Sequence, residues 1–229
     1  MSSSDNDDLS PLEVFLNGKR TYVQGTQLVA RATEFAAKTE KAPLTVSAAA
    51  FQRITDKLVL IRPGAPQKSG EDDKELGSLV LRGSDGPLNY TFVEGSEEAP
   101  RRDVPPACTY ALVAGSQSDV LSGTFEIAGL STPEDYLVAL VQSVKQLHEG
   151  ISDSVHDIWF TGLRAANLPV THPFPCATGR LTLSYRRLMQ GEDAWQSLLA
   201  VEMTDPDGAP VTKSAISFAF KSETRPNVD

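Results

Sequence analysis

The sequence predicts an α+β chain of two similar halves, each a single long helix held against a curled antiparallel sheet. Three observations carry that expectation. Only two stretches, from Gln24 to Lys38 and from Pro133 to Glu149, sustain apolar residues at three- and four-residue spacing long enough for a buried helix. Most of the remainder alternates, with β-branched and aromatic residues at every second position between breaks rich in Pro, Gly and Asp. The two kinds of segment then recur in the same order along the chain.

Composition narrows the classes of function. With 40% hydrophobic and 22% charged residues, the 229-residue chain can bury a substantial core. No run of roughly 18 or more apolar residues occurs, and the opening MSSSDNDDLS is acidic where a signal peptide is basic and then apolar. A cytoplasmic protein without a membrane partner is expected. Thirty acidic against 21 basic residues give a net charge of −9, which repels a phosphate backbone and argues against a nucleic-acid partner. Cys108 and Cys176 have neither CxxC spacing nor a His/Cys cluster around them, so they read as small buried or semi-buried residues, with no disulfide framework, metal or cofactor expected.

Residues 1–10, with three aspartates and almost nothing apolar, read as a disordered acidic tail. Leu12, Val14 and Leu16 alternate into a short strand that ends at the Asn17-Gly18 turn signal. In the first helix Leu28, Val29, Ala32, Phe35 and Ala36 form the buried stripe, and Pro43 bars its continuation. LTVSAAAFQRITDKLVLI reads as one bent strand or two, and RPGAPQKSGEDDKE as an exposed loop. GSLVLRG and LNYTFVEG flank Asp85-Gly86, a strong hairpin signal, and GSEEAPRRDVPP reads as a soft separator. The first half therefore spans 11–104 and the second 105–222, with 223–229 as a closing tail.

In the second half CTYALVAG and VLSGTFEIAG read as strands. Ser131-Thr132-Pro133-Glu134-Asp135 then supplies an N-cap, a first-turn proline and acidic groups that suit the helix dipole. Tyr136, Leu140, Val144 and Leu147 form the apolar stripe of the second helix, and Gly150 stops it. VHDIWFTGLRA, GRLTLSYRRLM, WQSLLAVEMTD and VTKSAISFAFK follow as strands, with a hairpin turn at Asp205-Pro206-Asp207-Gly208.

An offset of 109 residues carries Leu28, Val29, Ala30, Val46 and Phe51 onto Leu137, Val138, Ala139, Val155 and Phe160, and an offset of 102 carries GSLVL onto GRLTL. Two copies of a helix wrapped by an antiparallel sheet resemble a double hotdog. The order of segments is similar to that of the dehydratase domains of modular polyketide synthases from Leu12 to Lys221. NGKRTYVQGTQLVARATEFAA resembles that family's approach to its first helix, where a Pro-Gly pair stands in place of Gln24-Gly25. ITDKLVLIRPG, STPEDYLVALVQ and IWFTGLRAANLPV resemble the strand that follows, the approach to the second helix and the strand after it.

That resemblance implies an acyl thioester as ligand, carried by coenzyme A or an acyl carrier protein. It also implies a histidine before the first helix and a carboxylate on the second. The histidine's place falls at Phe15 to Asn17, yet no His precedes His148; the carboxylate's place falls near Leu137, with Asp135 close by. An unaltered dehydratase site is therefore not expected. Tyr22 and Gln24 at the start of the first helix, where backbone N–H groups can polarise a carbonyl, are the candidate polar groups, together with Asp135 and His156. Each also has a plain structural reading: Tyr22 as core, Gln24 as a cap, Asp135 as a dipole partner and His156 as a surface residue. Glu34 lies off the buried stripe, as a solvated residue would. His148, in the last turn, reads as a cation suited to a helix C-terminus. His172 and Cys176 suggest a nucleophile pair, with nothing in the sequence to orient it. The basic doublets Lys19-Arg20, Arg101-Arg102 and Arg186-Arg187 could meet the phosphates of a carrier, or simply be solvated.

Three functions compete. One is a dehydratase-like enzyme with a non-standard site, acting in polyketide or fatty-acid metabolism. The second is a non-catalytic binding or assembly module, and the third a hotdog acyl thioesterase. A homodimer is left open.

Overall fold

The computed structural model describes residues 9–40, 43–65, 74–103, 110–119, 121–151, 154–171, 173–192 and 194–223. The chain divides into two compact units, Met1–Pro106 and Ala107–Asp229.

In the first unit, β1 (Ser10–Pro11) and β2 (Leu16–Asn17) precede α1 (Gly25–Thr39), which β3 (Leu44–Phe51), β4 (Lys57–Pro63), β5 (Glu75–Gly83), β6 (Gly86–Glu98) and β7 (Arg101–Arg102) follow. The strands lie in the order β1-β4-β6-β5-β3 and pair antiparallel, with α1 against β3 and β5. The helix forms where the alanine-rich stripe is densest, and it buries Leu28, Val29, Ala30, Ala32 and Ala36. Phe35 stays half-buried, edge-on to the Tyr90 ring at 6.3 Å. Leu12, Val14 and Leu16 are buried in alternation as expected, although only Leu16 of the three lies in a strand.

The β5–β6 hairpin turns through Ser84-Asp85, with Gly86 at φ +122, a backbone region that favours glycine. The separator read after it is a correction: β6 runs on to Glu98, and Arg101-Arg102 forms β7, which pairs parallel with β2. A charged, proline-bearing segment hides such a strand because its pairing comes from a partner over 80 residues away.

In the second unit, β8 (Ala111–Asp119) and β9 (Ser122–Ala128) precede α2 (Pro133–Glu149). After it come β10 (Val155–Arg164), β11 (Leu168–Val170), β12 (Thr178–Gln190), β13 (Trp195–Thr204) and β14 (Pro210–Ser222). The order β10-β14-β13-β12-β9-β8 is antiparallel throughout. The helix α2 touches β8, β9, β10 and β11, so its buried face is wider than the predicted stripe and takes in Leu137, Ala139, Val141, Ser143 and His148 as well. The β13–β14 turn is held by Asp205, whose Oδ1 accepts from the N–H groups of Asp207 (3.0 Å) and Ala209 (2.8 Å).

Each unit is thus a long helix against an antiparallel sheet, the α+β arrangement expected. No helix among the described residues is long and apolar enough to cross a membrane.

Candidate functional site

The doorway to α1 is assembled from segments far apart in sequence. Leu16 donates to the Pro100 carbonyl (3.0 Å) and Gly18 to that of Arg102 (2.8 Å), while the Arg101 guanidinium donates to the carbonyls of Gly18 and Arg20. Val23 N–H donates to the Thr55 carbonyl (2.8 Å), and Phe15 N–H to Oε1 of the buried Gln27 (2.6 Å). These bonds fix the loop that carries Tyr22 and Gln24, both half-buried.

Gln24 is the N-cap of α1, yet no side chain caps that end and no acidic residue stands in its first turn. Instead, the Gln24 amide oxygen accepts from Asn17 Nδ2 at 3.5 Å, while Asn17 Oδ1 is buried with no hydrogen-bond partner. Tyr22 and Gln24 therefore stand together at a helix start whose dipole no side chain satisfies. At the place of the family's histidine, Phe15 lies beneath the Arg102 guanidinium, 3.7 Å from its ring centre, and Leu16 is buried.

Next to this doorway stands a carboxylate that no pattern in the sequence singles out. Glu94 Oε2 accepts from the buried Thr55 hydroxyl at 2.7 Å. That hydrogen bond, helped by Lys74 and Arg53 and opposed by burial, holds Glu94 below the usual carboxylate range. Glu34 is exposed and paired with Arg31.

In the second unit the start of α2 is closed. Asp135 Oδ2 accepts from the N–H groups of Ser131 (3.2 Å) and Thr132 (3.0 Å), and Asp135 N–H donates to Thr132 Oγ1 (3.0 Å), a reciprocal capping box. Leu137, at the place of the family's carboxylate, is buried. Asp135→Ala removes one acceptor for two backbone donors and is expected to cost about 1–2 kcal/mol. Thermal or urea unfolding checks this; an unshifted midpoint would show the box to be idle. Beside Asp135, the fully buried Tyr136 stacks on Phe174 at 5.5 Å. Burial raises its phenol pKa, against a lowering influence of the nearby Thr212 and Ser214 hydroxyls, neither of which closes a hydrogen bond of ordinary geometry to it.

His156 is exposed on β10 and donates through Nδ1 to the Ser154 carbonyl (2.9 Å). It borders a cleft of about 310 Å³ with Gln190, Trp195, Lys221 and Glu223. Asp135 begins α2 and His156 follows its far end, so roughly 20 Å of helix separates them. Tyr22 and Gln24 lie two residues apart at the start of α1, while Asp135 and His156 lie at opposite ends of α2.

His148 is a correction. Rather than a cation at the helix end, it is wholly buried, because β13 and β14 cover the last turn of α2. Its Nδ1 lies 2.8 Å from the Val144 carbonyl and must carry the proton; Nε2 then accepts from Ser197 Oγ at 2.9 Å. The rings of Phe220, Tyr185 and Phe218 surround it. Burial drives its pKa from 6.5 down to about 4, against the weaker opposing effect of the Val144 carbonyl, so it is neutral at pH 7. Of the sulfur candidates, Cys176 is half-buried and its thiol donates to the Thr178 carbonyl, whereas Cys108 and His172 lie outside the described residues. Among the described residues no group of three or more His, Cys, Asp or Glu side chains is arranged to hold a metal ion.

No protein-family profile and no curated protein sequence matches the chain. Solved structures do. The tesB protein of Mycobacterium avium subsp. paratuberculosis superposes with a TM-score of 0.58 at 12% identity, over 96% of this chain and 95% of that one. A hot dog fold protein of unknown function from Alicyclobacillus acidocaldarius gives 0.53 at 13% identity, over 97% of both chains. The dehydratase domain of PpsC from Mycobacterium tuberculosis, in complex with C12:1-CoA, gives 0.52 at 11% identity, over 96% of this chain and 97% of that one. These likenesses run the length of the chain, and with the two helix-and-sheet units they establish the fold as a double hotdog.

Proposed function

We propose that the protein acts on an acyl thioester, carried by coenzyme A or an acyl carrier protein, in polyketide or fatty-acid metabolism, through a site that departs from the usual dehydratase pattern. One observation carries the reading: of two helices in equivalent places, α2 is closed by its own capping box, while α1 begins without any side-chain cap. A helix start left open in this way can receive the thioester carbonyl, where aligned N–H groups stabilise developing negative charge. Tyr22 and Gln24 flank that carbonyl. Asp135 and His156 are the remaining candidate polar groups, and the dehydratase-like scaffold is reassigned to a different step such as isomerisation, cyclisation, decarboxylation or hydrolysis. The fold neighbours support this class of ligand, one of them having been solved with an acyl-CoA. A cytoplasmic protein, open to homodimer formation, fits the reading.

A second reading is a binding or assembly module that kept the fold and lost the chemistry. The contact between Phe15 and Arg102 and the buried Leu137, at the two places where the dehydratase family carries its acid–base pair, favour it. Incubation with a panel of acyl-pantetheine thioesters, followed by mass spectrometry, tests both. Turnover that falls at least tenfold in Gln24→Ala, with the fold intact, is the expected result for the enzyme. Tight binding of a carrier without turnover on any thioester would overturn the enzyme and leave the module.

A further inference from the structure

Two of the three basic doublets, far apart in sequence, meet in space. The register of β2 with β7 sets Leu16 opposite Arg101 and Asn17 opposite Arg102, which brings Arg101-Arg102 alongside the loop that carries Lys19-Arg20. Arg101 is anchored by two backbone carbonyls, which orient its guanidinium without neutralising it. Arg102 is held flat over the Phe15 ring.

The cluster stands in a chain of net charge −9. Arg31, Lys57, Arg62, Lys74, Arg180, Lys213 and Lys221 each pair with a carboxylate. None of Lys19, Arg20, Arg101 and Arg102 has an ion-pair partner among the described residues, and Lys19 and Arg101 are exposed. The Asn17 side chain ties the same loop to Gln24 at the positive end of α1, where no first-turn acid offsets the dipole. Like charges brought close together repel one another, and a bound anion relieves that repulsion. Guanidinium groups held in place suit the oxygens of a phosphate ester.

We infer that Lys19, Arg20, Arg101 and Arg102 form a binding patch for the phosphate end of a pantetheine thioester. The inference rests on the acyl-thioester reading and adds the part of the ligand that the patch recognises. That phosphate occurs both in coenzyme A and on the arm of a carrier protein, and binding separates the two sources.

Calorimetric titration of the full-length protein with coenzyme A, 4′-phosphopantetheine and pantetheine, repeated for Lys19→Ala/Arg20→Ala, provides the test. These two side chains are chosen because Arg101 also holds the loop together. The expected result is a loss of about tenfold in coenzyme A affinity with pantetheine unaffected, two solvent-reached charge contacts being removed. A parallel loss for phosphopantetheine assigns the patch to the arm's own phosphate. A loss confined to coenzyme A assigns it to the nucleotide's phosphates. Unchanged coenzyme A affinity would overturn the patch while leaving the thioester reading intact, and so would an equal loss in Arg186→Ala/Arg187→Ala on β12. Failure of the unaltered protein to bind any of the three ligands would remove both.

Discussion

Acidification from pH 7 to about pH 4 is expected to remove on the order of 3 kcal/mol of stability through His148 alone. In the unfolded chain this imidazole protonates near 6.5, whereas in the folded unit burial lowers that to about 4. The unfolded state therefore binds the proton first. The contribution is whole above about 6.5, shrinks as the pH falls through the window and is spent near 4. Glu94 acts in a lower window, since its folded carboxyl is held below the ordinary 4.5 and its contribution is lost only as the pH falls from about that value downward. Protonation would also take Nε2 away as acceptor for the Ser197 hydroxyl and place a cation among the rings of Phe220, Tyr185 and Phe218. Urea unfolding at a series of pH values measures the slope. His148→Gln, less stable at pH 7, should flatten it between 6.5 and 4, and an undiminished slope in that variant would show that another group is responsible.

Gly77→Ala is expected to cost about 3 kcal/mol or more, unusual for the addition of one methyl group. A Cβ at this position would stand 2.1 Å from the Ala50 carbonyl oxygen and 3.0 Å from Phe51 Cα, both backbone atoms of the neighbouring strand. Flexible side chains can step aside; a paired strand cannot without loosening its ladder. Gly77 also pairs with Phe51 on one side and Phe92 on the other, and those two rings stack with centres 5.8 Å apart, so a side chain between them would crowd the pair. Gly83→Ala on the same strand serves as the control. Its Cβ would meet Leu44 Cδ2 at 3.5 Å and Leu88 Cδ1 at 3.9 Å, both ordinary contacts with side chains, and the loss should stay within about 1 kcal/mol. Equal unfolding midpoints for the two variants would contradict the clash.

Local chemistry made much of the fold readable in advance. Stripes at helical spacing located α1 and α2, Asp85-Gly86 located the β5–β6 turn, and Thr132 with Asp135 announced a helix start that proved to be a full capping box. Readings that needed a distant partner failed. His148 looked cationic because the last turn of a helix favours a cation; Ser197, which donates to its Nε2, stands 49 residues further on, in the first of the two strands that bury it. Arg101-Arg102 looked like solvated linker because its strand partner lies near the start of the unit. For the candidate site, the nearness of Tyr22 to Gln24 and the separation of Asp135 from His156 by the length of α2 both follow from their order in the chain. Gln27 and Glu94 carried no signal, since a buried amide and a tethered carboxylate in sequence resemble any other polar residue on a helix or a strand.

The parallel pairing of β2 with β7 also has a meaning in time. Arg101 binds a carbonyl 83 residues earlier in the chain, and that closure becomes favourable only once the strands between have collapsed and shortened the path. The doorway of α1 is therefore among the last parts of the first unit to take shape, although its residues leave the ribosome early. Until Arg101 and Arg102 emerge, a nascent chain can gather its sheet and its helix but cannot fasten the loop at Gly18 and Arg20. The fastening of that loop arrives with the completed unit.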